Sequence, residues 1–564
     1  MKKILALALA AALSLSLFGC AKNPASSTAP TPSQTGDASD TVKKDPITLT
    51  WFNVGNDQQK DYKLALDNIN KTVQSHKGLE HVSLEFITCG WGDCTQKLTT
   101  LIGSGAALDL FNPCAAGYLD PWVEKGACAD LTDLVKEYAP DVLTELPDWL
   151  LKTQTIGGKL YAIPTYQQNN ANYDCYFMPT ELAEKYMDLD TLRKLADTPT
   201  AKDKAVGLAV YKQRMDLITD YLQKCKDAGE IRKGAVESNS LGLTSYTETG
   251  ANTMGLGVRN IYDYNPLNGP GNTEVIFGTK MCMEMTKEDL KKAAETGEEL
   301  EWQEVGNRYL YDWWEKGLIR EDVLSTNESD LRGQQNGLVI WMEQAVGAND
   351  PEILKSLEKS KSDSYGMDIT IVPRSNTYLM RSDNASGGHC VYVNSKNKEE
   401  AVTVAGLTAT KAGADVLNAI VWGVEGTHYT KNDDGTITTP YQGGSAGSDD
   451  AYGQYNWAWG NTFDGYVNQA TNLKFFDFVQ EMHKTALPDH IAGFKFDKSA
   501  YATEEQMLSA LKDESIIFDK TNGYGSASYR AAKKSYYQGV IDVGIEKIWD
   551  DFQKQLDDFL AANK

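Results

Sequence analysis

The chain has 564 residues and a formal net charge of −23, from 78 Asp and Glu against 55 Lys and Arg. So acidic a surface repels phosphate backbones and anionic headgroups, which argues against nucleic acid as a partner. The length exceeds what one hydrophobic core organises, so two or more lobes are expected.

At the amino terminus, Lys2 and Lys3 precede an apolar run over residues 4–18, closed by Gly19 and Cys20. The run falls short of the roughly 20 residues a membrane-crossing helix needs, and residues 1–19 read as a secretion signal. Leu17-Phe18-Gly19-Cys20 resembles the lipobox of bacterial lipoproteins, although Phe18 is bulkier than the residue usual there. The resemblance implies that Cys20 carries lipid and anchors the chain to the extracellular face of the cell membrane. Residues 20–45 are rich in Ser, Thr, Ala and Pro and read as a disordered tether. No later stretch is apolar for the ~18 residues of a membrane span.

Of nine Cys, Cys20 is assigned to lipid, which leaves an even number. Cys89 with Cys94, or Cys114 with Cys128, could close short loops; buried free thiols are the alternative. No CxxC pair occurs, so no zinc site is expected.

Along the body, residues 47–51 alternate apolar and polar as a strand with unequal faces. Tyr62, Leu66, Ile69 and Val73 then recur at helical spacing. Val82, Leu84 and Phe86 form a second strand, residues 95–102 a helix ended by Gly103-Ser-Gly105, and residues 108–111 a third strand. Strand, helix, strand, helix, strand predicts an α/β unit with a parallel sheet, whose ligands sit beyond the carboxyl ends of the strands. That rule selects Asn53, Trp91, Asp93 and Asn112.

Three further runs carry a resemblance. Leu101-Ile-Gly-Ser-Gly-Ala-Ala-Leu-Asp-Leu-Phe111, Gly126-Ala-Cys-Ala-Asp-Leu-Thr-Asp-Leu134 and Gly158-Lys-Leu-Tyr-Ala-Ile-Pro164 are, in that order, similar to family 1 extracellular solute-binding proteins of ABC importers. Trp422-Gly-Val-Glu-Gly-Thr-His-Tyr429 and Trp457-Ala-Trp-Gly-Asn-Thr-Phe463 resemble a subgroup of large lipoproteins linked to complex-carbohydrate uptake. The resemblance implies a type 2, two-lobed periplasmic-binding-protein-like fold, its lobes joined by a hinge that closes on ligand in the cleft. It places lobe 1 at residues 46–164 and 341–395, and lobe 2 at 165–340 and 396–564. It also implies a monomer, with a sugar or oligosaccharide ligand and the permease subunits of an ABC transporter as partners.

Sugars are held by aromatic faces under the ring and by planar polar groups on the hydroxyls. Beyond the strand ends, the candidates are Tyr166, Gln168 and Asn169 after the first crossing, Trp341 and Glu343 after the run 337–341, and Tyr455, Trp457 and Trp459. The alternate spacing of Trp457 and Trp459 lets one face ligand and the other the core. Trp313 and Trp314 in an amphipathic helix, and Trp422 at a helix end, read as packing.

No catalytic residue, cofactor or metal is assigned. Gly443-Gly-Ser-Ala-Gly447 matches a nucleophile elbow on paper but lacks the strand before it and the helix after it. Asn432-Asp-Asp-Gly435 reads as a hairpin turn rather than a calcium loop. Two alternatives stay open: an anchored carbohydrate-active enzyme, whose two carboxylates need no motif, and a peptide-binding receptor of the same fold.

Overall fold

The structure, a computed structural model, describes residues 44–90, 92–116, 119–168, 174–198, 204–230, 264–265, 269–270, 287–297, 309, 312–313, 315–318, 339–373, 387–439, 451–468, 473–485, 496–497, 499–511 and 527–562. Cys20, nearly all of the expected tether, Trp91, Asn169, Trp314 and the 443–447 run lie outside them. The body, Pro46–Lys564, is one compact unit.

Among the described residues, eight strands form the two larger sheets. They are β1 Ile47–Val54, β2 Val82–Cys89, β3 Leu110–Phe111, β4 Ile163–Pro164, β5 Asp174–Pro179, β6 Trp341–Gln344, β7 Ile369–Pro373 and β8 Gly388–Val391. The first sheet has the order β2-β1-β3-β8-β4 and the second β6-β5-β7. β1 runs parallel to β2 from Ile47↔Val82 to Val54↔Cys89, and parallel to β3 at Trp51↔Leu110 and Phe52↔Phe111. β8 then pairs antiparallel with β3 and with β4.

The helix Tyr62–Gln74 buries Ala65, Ile69 and Val73, one stripe at four-residue spacing. The helix Cys94–Ser104 ends at Gly105, whose φ of 66° is the left-handed cap that glycine adopts without strain. A Cys89–Cys94 disulfide ties the end of β2 to that helix. Cys114 and Cys128, the other pair considered, form no disulfide with each other, and Cys128, Cys225 and Cys390 are buried free thiols. β1 is buried without a break from Leu49 to Val54, whereas the alternation at 47–51 predicted unequal faces. A strand between two neighbours and covered on both sides has no solvent face, and the Thr50 amide is satisfied there by Asp109 Oδ2 at 3.0 Å.

In the second sheet β5 alternates in the ordinary period of two. Cys175 and Phe177 face a core with Trp341, Ile371 and Val479, while Tyr176 and Met178 face another with Ile218, Tyr221 and Trp549. Trp313 is in that second core as well. The last helix, Ile545–Ala562, buries Ile545, Ile548, Trp549, Phe552 and Leu556 there.

The division of the chain differs from the expected one. β6 and β7 both pair with β5, so residues 341–373 belong to the second sheet and the return to the first comes at β8. The helices Lys398–Ala409 and Ala414–Trp422, expected in lobe 2, bury Val402, Val404, Ile420 and Trp422 in the core of the first sheet, together with Trp459. A strand's local pattern specifies its buried face and not its partner, which is why the pairing of residues 341–344 was not readable.

Three segments pass between the sheets, and they are hydrogen-bonded to one another where they meet. The first runs from β4 to β5 and the second from β7 to β8. The third leads from Asn461 and Thr462 to the helix Phe475–Thr485, whose Val479 and Met482 lie in a second-sheet core. The Thr165 amide donates to Gly387 O at 2.9 Å, Tyr166 N to Gly460 O at 3.1 Å, and Thr462 N to Tyr166 O at 2.8 Å. Gly387 and Gly460 pack closely on other parts of the body: a Cβ on Gly460 would stand 1.9 Å from Thr408 O, and one on Gly387 2.8 Å from the Asn112 amide.

Candidate ligand site

The carboxyl ends of β1 and β3 point at residues 453–462 rather than at solvent. Asn53 ends in a fully buried amide whose Nδ2 donates to Ala458 O at 2.9 Å, and Oδ1 accepts from Val54 N at 2.8 Å. Asn112 is buried too; its Nδ2 donates to the same Ala458 carbonyl at 3.0 Å, and Oδ1 accepts from Cys114 N. The next carbonyl, Trp459 O, lies 3.1 Å from His389 Nε2. Upstream, Gln454 Nε2 donates to Asn56 O at 2.8 Å. The segment is moored to the sheet at successive points.

What this moored turn presents is aromatic. Trp459 faces inward, edge-on to Trp51 at 5.4 Å and to Phe86 at 4.9 Å, contacts that contribute about 0.5–1.5 kcal/mol each beyond area burial. Tyr455 and Trp457 are half-buried and pack in part against the same core, their ring centroids 5.5 Å apart and planes inclined at 30°.

A second aromatic group stands at the crossing segments. The Tyr166 ring lies 4.6 Å from Phe463, 5.5 Å from His483 and 6.2 Å from Trp149. His483 comes from the helix Phe475–Thr485. Its Nδ1 is 3.4 Å from Tyr166 Oη, and its Nε2 is 3.3 Å from Gln168 O. Gln168 Oε1 is buried without a hydrogen-bond partner among the described residues. Trp149, Phe463 and His483 escaped the sequence reading. Trp149 and His483 sit in helices whose pattern announces only packing, and Phe463 closes the 457–463 run without being singled out from it.

The remaining candidates lie elsewhere. Trp341 is 1% exposed, stacked on Phe177 at 6.0 Å and edge-on to Tyr365 at 5.4 Å; it is a core residue of the second sheet and does not line an opening. Glu343 sits beside it on β6, paired with Cys175. Asp93 is exposed at the start of the helix Cys94–Ser104, where its side chain makes no capping bond. Asn432-Asp-Asp-Gly435 forms the turn between Thr430–Lys431 and Ile437–Thr438.

Electrostatically the moored turn is held by neutral groups. His389, fully buried, accepts from Trp51 Nε1 at 3.2 Å on Nδ1, which leaves Nε2–H to donate to Trp459 O. Burial pushes its pKa down to about 3, against the opposing pull of that carbonyl. Burial also holds the Asp464 carboxyl above its usual range, although Asn461 Nδ2 donates to it at 2.6 Å. Among the described residues no group of three or more His, Cys, Asp or Glu could hold a metal ion, and no helix is long and apolar enough to cross a membrane.

Residues 65–226 match the family model of bacterial extracellular solute-binding proteins. Over 526 residues the chain is 23% identical to a carbohydrate ABC transporter substrate-binding protein of Streptococcus pneumoniae serotype 4, covering 92% of each. The crystal structure of the N-glycan transport solute binding protein NgtS of Streptococcus pneumoniae in complex with Man1GlcNAc superposes with a TM-score of 0.61 at 20% identity, covering 91% of this chain and 99% of that one. Its complex with Man5GlcNAc gives 0.57 at 20% identity, over 92% and 99%. The fold is therefore the α/β, two-lobed, hinge-connected one of periplasmic-binding-protein type.

Proposed function

We propose that this chain, a homologue of the substrate-binding proteins of carbohydrate ABC transporters, captures an oligosaccharide between its two sheets and delivers it to membrane permease subunits. The observation that carries the reading is the moored turn: Tyr455 and Trp457 stand half-buried beyond the strand ends, beside the crossing segments. A pyranose ring stacks its CH face on such rings, while Gln168 and the Asn456 region meet its hydroxyls. The chain binds and releases its ligand unchanged and acts as a monomer. Cys20, lipidated, holds it at the extracellular face of the membrane. The solved relatives in complex with glycans and the aromatic pair on the turn support the sugar reading.

Thermal denaturation with Man1GlcNAc, Man5GlcNAc and an unrelated peptide tests it. A ligand that binds only the folded state raises the melting temperature, so a glycan is expected to raise it and to be recovered intact by chromatography. A rise with the peptide alone indicates the peptide receptor, and shortened glycan products indicate the enzyme.

A further inference from the structure

We infer that Asn53 and Asn112 are positioning residues: from the ends of two adjacent strands they grip one carbonyl, Ala458 O, and thereby hold the turn carrying Tyr455 and Trp457 in its ligand-ready place. The inference rests on the proposed sugar-binding role of that turn. Residues at strand ends of a parallel sheet are ordinarily expected to meet the ligand themselves. Here neither can. Both amides are buried, with both polar atoms of each already engaged: Oδ1 by the amide of Val54 or Cys114, and Nδ2 by Ala458 O. The Gly387 backbone closes over Asn112 so tightly that a Cβ there would stand 2.8 Å from its Nδ2 and Oδ1.

The local bonds also set the direction of each amide. Because a backbone N–H holds Oδ1, the NH₂ must face the carbonyl, and a carboxylate in its place would set oxygen against oxygen. A carbonyl has two lone pairs, so it accepts from both asparagines without competition. The neighbouring carbonyls are taken by His389 Nε2 and Tyr166 N. Ala458, Trp459 and Gly460 are thus held in succession by β1 and β3, by β8, and by the first crossing segment. The turn moves with the first sheet, and its aromatic pair is in place before the second sheet closes, so the cost of ordering it falls on folding and not on binding.

Hydrogen exchange read by mass spectrometry on the apo protein, with binding of Man5GlcNAc measured in parallel, tests the inference. Asn53→Asp and Asn112→Asp are each expected to speed exchange of residues 453–462 about tenfold while β1 and β2 stay protected. Each is also expected to weaken Man5GlcNAc binding roughly threefold to tenfold. Unchanged exchange at 453–462 overturns the inference, and an affinity loss without faster exchange there overturns it too, since it means the asparagines touch the sugar. If Asn112→Asp does not fold, Asn53→Ala, which leaves Asn112 on the same carbonyl, carries the test. If wild type binds no glycan, the sugar-receptor reading fails, while the exchange experiment still decides the mooring.

Discussion

Trp341 and Trp457 were both candidates in the sequence, yet their surroundings differ: Trp341 is fully buried and Trp457 half-buried. Trp341 is enclosed by Phe177, Tyr365 and the 345–348 segment. Trp341→Ala is therefore expected to cost about 3–5 kcal/mol of stability, visible in urea denaturation of the apo protein. Trp457→Ala should leave apo stability within about 1 kcal/mol, as for a partly exposed site, and abolish the glycan-induced rise in melting temperature. A Trp457→Ala protein that kept the wild-type rise would remove Trp457 from the site. His389 yields a pH prediction of definite sign. Folded, its pKa is about 3; unfolded, it returns to the ordinary histidine value of about 6.5. The unfolded chain takes up the proton first, so stability is intact above pH 6.5, declines as pH falls below it, and stops declining on this account near 3. Urea midpoints measured from pH 7 to 4 should fall for wild type. In His389→Gln, which can still donate to Trp459 O, they should fall less steeply.

The elements were legible to the extent that their signals were local. The strand–helix–strand–helix–strand order, the stripe in the helix Tyr62–Gln74 and the glycine stop at Gly105 follow from periodicity and chirality, and the structure has all three. What a strand or loop touches across hundreds of residues is not local. Nothing in residues 453–462 announces that two asparagines and a histidine moor them, and nothing in 341–344 announces β5 as a neighbour. Glycine spacing was equally mute about close approach. Gly460→Ala drives a methyl into Thr408 O and should destabilise by at least about 1–3 kcal/mol, as overpacking does. Gly103→Ala, within a helix and with nothing within 4 Å of the added carbon, should instead stabilise by about 0.5–1 kcal/mol. Calorimetric melting of the two variants beside wild type checks both signs, and a Gly460→Ala protein as stable as wild type would show that the packing of the third crossing on the helix Lys398–Ala409 is loose.

At the scale of the whole molecule, the placing of the hydrogen bonds argues for a hinge. The three crossing segments bond to each other at Thr165, Tyr166, Gly387, Gly460 and Thr462, so the joint between the sheets is internally tied there. Each sheet keeps its own core: Trp51, Trp459 and Trp422 in one, and Trp341, Trp313 and Trp549 in the others. A rotation about such a joint leaves those cores intact and alters only a few loop dihedrals, the usual hinge mode. The aromatic turn rides with the first sheet, whereas His483 arrives on a helix that packs with the second. On the proposed reading, a ligand resting on Tyr455 and Trp457 would gain contacts to the second sheet only on closure, and that differential affinity would shift the population. Small-angle scattering should accordingly show the radius of gyration falling when saturating Man5GlcNAc is added, with the unliganded value retained in Trp457→Ala. Identical curves with and without glycan, at a concentration where calorimetry shows the site filled, would mean that the sheets do not move and that capture occurs on the first sheet alone.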